Sequence, residues 1–181
     1  ETAAVGHLAL RGNTTASGSV GIGFEALQTA STEGSLTAIG YQAAKANTSG
    51  SATVAVGYQA LTSNTTGNYN TAIGYQTLLS TTTGHSNTAV GYEALKDNVE
   101  GSNNTAFGMV TLNENTTGSY NTGLGDGALR YNTTGGDNTA VGSQSLYINS
   151  SGDHNTALGN GSLRSNQTGS RNTALGRSAL Y

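Results

Sequence analysis

Cysteine, proline and tryptophan are missing from the chain, and methionine occurs once. The lack of cysteine excludes a disulfide scaffold and any thiolate metal site. Charge is scarce: Asp, Glu, Lys and Arg make up 9% of the residues, with a formal net charge of −3. No basic patch or stripe is available to neutralise phosphates, so nucleic acid is not an expected partner. No apolar run approaches the roughly 18–20 residues of a membrane-spanning helix, so direct membrane insertion is not expected. No signal peptide is visible, but the chain starts in mid-pattern. Large apolar residues are few as well. Leu, Ile, Val and Phe number 30 of 181, a share that commonly accompanies disorder. The low net charge does not fit that reading, so periodicity has to decide.

Thr, Gly, Asn and Ser fill 93 of the 181 positions, and they recur in strict register. Glycine falls at Gly6, Gly23, Gly40, Gly57, Gly74, Gly91, Gly108, Gly125, Gly142, Gly159 and Gly176, always 17 residues apart. Eleven copies without insertion or deletion indicate stacked, equivalent coils. A disordered tract has no physical reason to hold such a register. The residue before each glycine is apolar, from Val5 and Ile22 to Leu158 and Leu175. The one before that is Ala, or Gly at Gly21 and Gly123. Thr precedes it in eight copies, exchanged for Val at Val20 and Val54. Asn comes next in the last seven copies, from Asn70 to Asn172. Four residues after the glycine stands Leu in every copy but that of Ala44. Seven residues after it Asn opens a turn such as Asn64-Thr65-Thr66-Gly67.

The Asn-Thr-Ala-Val-Gly segment reads as a short strand bounded by turn residues. Side chains alternate across it, so Thr71 and Ile73 share one face, and Asn70, Ala72 and Gly74 the other. The Thr/Val exchange suggests that the Thr71 column points inward. The small-residue face then lets another backbone approach closely. The Leu column is expected to mark a second short strand, with the Asn turn closed by glycine at positive φ. Recurrent Gly and β-branched residues exclude helix. The chain is therefore expected to be all-β: one parallel β-solenoid domain over residues 1–181, built from eleven 17-residue coils. Two large apolar side chains per coil make a thin core, so the small-residue face is expected to be buried against further copies of the chain, three around a central axis.

Thr53-Val54-Ala55-Val56-Gly57 and Ser19-Val20-Gly21-Ile22-Gly23 resemble the Ser-Val-Ala-Ile-Gly repeat of the YadA-like head of trimeric autotransporter adhesins. Asn104-Thr105-Ala106-Phe107-Gly108, followed by Leu112 and Asn115-Thr116-Thr117-Gly118, is similar to repeats of phage tail-fibre and bacterial surface-fibre proteins. The resemblance implies a left-handed β-roll, a homotrimer and a role in attachment. The location it implies is extracellular, at a cell surface or on a virion, and the partner a host-surface glycan or protein receptor. The uncapped ends suit either a segment of a longer fibre or a subunit that stacks end to end into filaments.

Tyr41, Tyr58, Tyr75 and Tyr92 follow the reference glycine in four consecutive copies. Stacked coils would align them into an aromatic ladder, either a binding surface or a cover that stabilises coil-to-coil contact. Gln42, Gln59 and Gln76 would stack beside them. Rows of Thr also raise ice binding as a remote alternative, weakened by the inward placement expected of one Thr column. His7, His85 and His154 fall at three different offsets and cannot share a metal. Asp97, Asp126, Asp137 and Asp153 form no column, so no repeating calcium site is expected. Gly21-Ile22-Gly23 and Gly123-Leu124-Gly125 precede no helix and are not phosphate loops. No catalytic constellation or cofactor site recurs, so an enzyme is not expected. Asn-x-Ser/Thr triplets open at Asn13, Asn47, Asn64, Asn103, Asn115, Asn132, Asn149, Asn160 and Asn166. They read as turn chemistry rather than as glycan acceptors.

Overall fold

A computed structural model describes residues 1–14, 17–29 and 34–181. Within them the chain forms eleven strands of three residues, from β1 (Ala3–Val5) to β11 (Thr173–Leu175), and no helix. Every strand pairs in parallel with the next in sequence, giving one eleven-stranded sheet in chain order. The register is one repeat throughout: Thr71 stands opposite Thr88, and Ala72 opposite Ala89. The expected solenoid is therefore present, with about 4.8 Å between coils and a length near 50 Å.

Each coil has one strand, not two. The Leu column lies in a turning segment, where Leu61, Leu78 and Leu95 have φ of 53, 52 and 51°. The residue two places earlier is also left-handed, as at Gln59 (52°) and Gln76 (49°). Alternate positive φ values cannot make an extended strand. The ladder between coils nevertheless continues through this arc. Gln76 N–H donates to the Tyr58 carbonyl below, and Leu78 N–H to the Ala94 carbonyl above.

The two strand faces are the reverse of the expectation. The Ala column is fully buried, as at Ala38, Ala72 and Ala106, and so is the Leu column, as at Leu61, Leu78 and Leu112. The solenoid is so thin that leucine fills the space across from alanine. At Gly123, which replaces one of these alanines, a Cβ would already lie 2.6 Å from the Thr111 methyl. Thr71 and Ile73 face outward. The Thr/Val exchange thus reflects an outward apolar face, not an inward column.

Two amide ladders complete the interior. Asn70 Nδ2 donates to the Gly84 carbonyl, while its Oδ1 accepts from the backbone N–H of Asn87 in the next coil. The same pattern repeats from Asn87 through Asn155. In the turn column Asn132 Nδ2 donates both to Asn115 Oδ1 and to the Gly135 carbonyl. These bonds satisfy amides that would be costly to bury alone. The turn glycines are required for space rather than for positive φ: a Cβ on Gly135 would press against the Gly152 carbonyl and Asn132 Oδ1. The reference glycines need both, since Gly74 has φ 138° and its Cβ would land on the Gly91 carbonyl oxygen.

Candidate functional site

Among the described residues the surface holds no cavity or cleft. What could act on a partner is arranged in columns along the rod. The first is the outer face of the sheet. The residue before each reference glycine forms an outward apolar row from Val5 to Leu175, with Ile73 40%, Phe107 50% and Leu158 44% exposed. Val56, Val90 and Val141 in the same row are half-buried. Beside it runs the threonine row. Among the described residues the hydroxyls of Thr71, Thr88, Thr105, Thr122 and Thr139 find no hydrogen-bond partner. Other columns differ: Thr65, Thr116 and Thr133 donate to carbonyls of the next coil, and Thr77 and Thr111 to reference-glycine carbonyls.

The second column is aromatic. Tyr41, Tyr58, Tyr75 and Tyr92 stack with ring centroids 5.1–5.2 Å apart and planes 5–8° from parallel. The stack continues through Phe24 to His7. Both extra members share the offset of the tyrosines, and counting all rings at that offset would have found them. Each tyrosine is 41–49% exposed. Since neighbouring rings cover both faces of Tyr58 and Tyr75, only ring edges and hydroxyls are open to a partner. Face-on stacking of a sugar is thereby blocked along the middle of the ladder. The Glu93 carboxylate, accepting from the Tyr92 hydroxyl, raises that phenol above its usual pKa.

Gln42, Gln59 and Gln76 form an amide ladder next to the rings, each donating to the one below at 2.8–3.0 Å. Glu25 closes the row and pairs with Lys45 Nζ at 2.7 Å. The Lys45 bond, then that from Gln42, holds the Glu25 carboxyl below its ordinary value.

A third column, five residues after the reference glycine, escaped the sequence reading. It alternates Arg130, Tyr147, Arg164 and Tyr181. The Arg164 guanidinium lies 5.0 Å from the Tyr147 ring centroid and 5.7 Å from that of Tyr181. Arg130 lies 5.1 Å from the Tyr131 ring and donates to the Tyr147 hydroxyl at 3.3 Å. The signal was available in the equal offsets, but tyrosine and arginine alternate there, so neither residue type forms an unbroken row.

No group of three or more His, Cys, Asp or Glu that could hold a metal ion occurs among the described residues. His154 lies near Asp137 in the adjacent coil, at 4.0 Å, with both side chains exposed. The triplet asparagines Asn47, Asn64, Asn115, Asn132 and Asn149 are buried in the turn ladder, which agrees with their reading as turn chemistry. Asn103 and Asn166 are half-buried, and Asn160 is exposed. The triplet of Asn13 ends at Thr15, outside the described residues. No protein-family model, curated protein or solved structure matches the chain.

Proposed function

We propose that the chain is a rigid structural and adhesive fibre segment, in which three copies associate through the outer face of the sheet. The outward apolar row carries this reading. It runs the length of the rod, about 50 Å by about 10 Å including the threonines, or on the order of 500 Å². A continuous patch of that size is at the upper end of what monomers leave in water. Parallel copies would set like residues of each coil side by side and remove the row from solvent. The number three is supported by the likeness of the repeats to trimeric adhesin heads. An attachment role outside the cell, on a glycan or protein receptor, follows from the same likeness and from a surface of repeated columns without a cleft.

One observation favours a second reading. The threonine hydroxyls stand in a row at one coil spacing, and repeated Thr rows are what an ice-binding face uses. The neighbouring row argues against it, because side chains that range from Val56 to Phe107 give an uneven surface. Sedimentation separates the readings. The expected species has three times the 18.2 kDa chain mass. Ile73→Asp with Phe107→Asp is expected to yield folded monomers. A wild-type chain that sediments as a folded monomer and shows thermal hysteresis on cooling would replace the fibre reading by the ice-binding one.

A further inference from the structure

Among the described residues, the Arg–Tyr column is where cations are seated on aromatic rings. Lys45 is paired with Glu25, and Lys96 with Glu93 at 3.3 Å. Among the described residues Arg130 and Arg164, like Arg11, Arg171 and Arg177, have no carboxylate within ion-pair distance, and the remaining pair is His154–Asp137. The nearest acid in sequence register is Glu114, in the column of Tyr131 one coil below Arg130. Along the chain the charge is also uneven. Residues 127–181 hold four arginines and two aspartates, a net +2, whereas residues 1–126 hold three basic and eight acidic residues, a net −5.

Both guanidiniums are held in place by tyrosines rather than by anions. Arg164 is sandwiched between two rings, bonds the Tyr181 hydroxyl at 3.3 Å and bonds Gln144 Oε1 at 3.1 Å. Arg130 uses one N–H on the Tyr147 hydroxyl, and its Nε is buried without a partner. Most of the five donors of each guanidinium remain unbonded. Such cation–π seating fixes the fork without neutralising it, which lowers the ordering cost of binding an anion. Two coils separate the arginines, about 10 Å along the axis. An extended β-linked disaccharide has nearly the same length.

We propose that this column binds a linear acidic glycan carrying one sulfate or carboxylate per disaccharide, laid parallel to the rod. Arg130 and Arg164 take successive anionic groups through bidentate hydrogen bonds. Tyr147 positions both. The column follows the buried leucines directly in sequence and is no part of the strands, so association through the outer sheet face does not use it. The inference deepens the adhesive reading by naming the class of receptor and rests on it.

The test is calorimetric titration of the full chain with a hyaluronan hexasaccharide, which is β-linked with one carboxylate per disaccharide, with neutral cellohexaose as control. Binding is expected for the acidic sugar alone and weakens with salt. Arg130→Gln with Arg164→Gln is expected to lower affinity about tenfold or more, since each bond to a charged group is lost. Arg171→Gln with Arg177→Gln, which removes the same charge elsewhere, is expected to change it by less than about twofold. Equal losses for all arginine variants mean diffuse polyanion attraction and overturn the proposal, as does absence of wild-type binding. Should the glutamine pair unfold, Arg130→Lys with Arg164→Lys keeps the charge but not the fork; unchanged affinity there also overturns it. Sedimentation of the same samples keeps the two readings apart. A trimer that ignores the glycan defeats this inference alone, and a monomer that binds it defeats the trimeric reading alone.

Discussion

At Thr81 the turn ladder of asparagines is interrupted by a threonine. In neighbouring coils each asparagine Nδ2 donates to the Oδ1 of the coil below, as Asn64 does to Asn47 and Asn115 to Asn98. Thr81 instead donates its hydroxyl to the Asn98 carbonyl. Asn64 Oδ1 is consequently buried without a partner. A buried acceptor left unmet costs about 1–3 kcal/mol. Thr81→Asn is expected to supply the missing donor and raise stability by about 1 kcal/mol, read as an upward shift of the thermal midpoint. A fall in stability would mean that the coil cannot accept the longer side chain. The flaw is visible in the sequence as one Thr in an Asn column. Its cost is not, because the burial of that column shows only in the fold.

Within single coils, what could be read beforehand and what could not divide on chain length. A 17-residue period fixed the coil and the alignment of Tyr41 to Tyr92. A three-residue strand is too short for alternation to tell inside from outside, since Thr, Val and Ala each suit either face. From sequence the Leu segment reads as a strand, because Gln and Leu do not advertise positive φ. The hint lay in two copies, where Gly127 and Gly161 occupy the position of Gln76, each with φ of 63°. The glutamine ladder that starts there ends on Glu25, which carries a pH dependence. Its folded pKa lies below the ordinary 4.5 because of Lys45 and Gln42. A lowered carboxylate contributes stability that is complete above its unfolded pKa and is lost as pH falls through the folded value. Denaturant unfolding of wild type and Glu25→Gln is expected to differ most near about pH 6, above the unfolded value, and to converge once the pH has fallen through the lowered folded value. A difference independent of pH would assign the effect to packing of the side chain rather than to its charge.

Across the whole molecule each coil touches only its two neighbours, since every strand pairs only with the strands one repeat before and after. Stability in such an array is nearly a sum over coils and coil–coil contacts, so the number of coils is adjustable but their register is not. The amide ladders make the constraint strict. Asn104 N–H donates to Asn87 Oδ1, and Asn104 Oδ1 accepts from Asn121 N–H, so all three must lie at the same place in their coils. Removing residues 104–120 joins Asn103 to Asn121 and leaves Asn121 where Asn104 stood. Asn121 can then donate to Asn87, and the aromatic ladder below and the Arg–Tyr column above are both retained. The shortened chain is expected to keep the β spectrum of the parent with a modestly lower midpoint. One alanine inserted between Thr105 and Ala106 adds far less mass but turns Thr105 toward the interior or forces a bulge against both adjacent strands. A loss of about 3 kcal/mol or more is expected there, from unmet ladder bonds and a misplaced side chain. Circular dichroism with denaturant titration compares the two. If the 17-residue deletion unfolded the chain while the single insertion was tolerated, the coils would not be interchangeable units, and the account of the rod as a register-locked stack would be wrong.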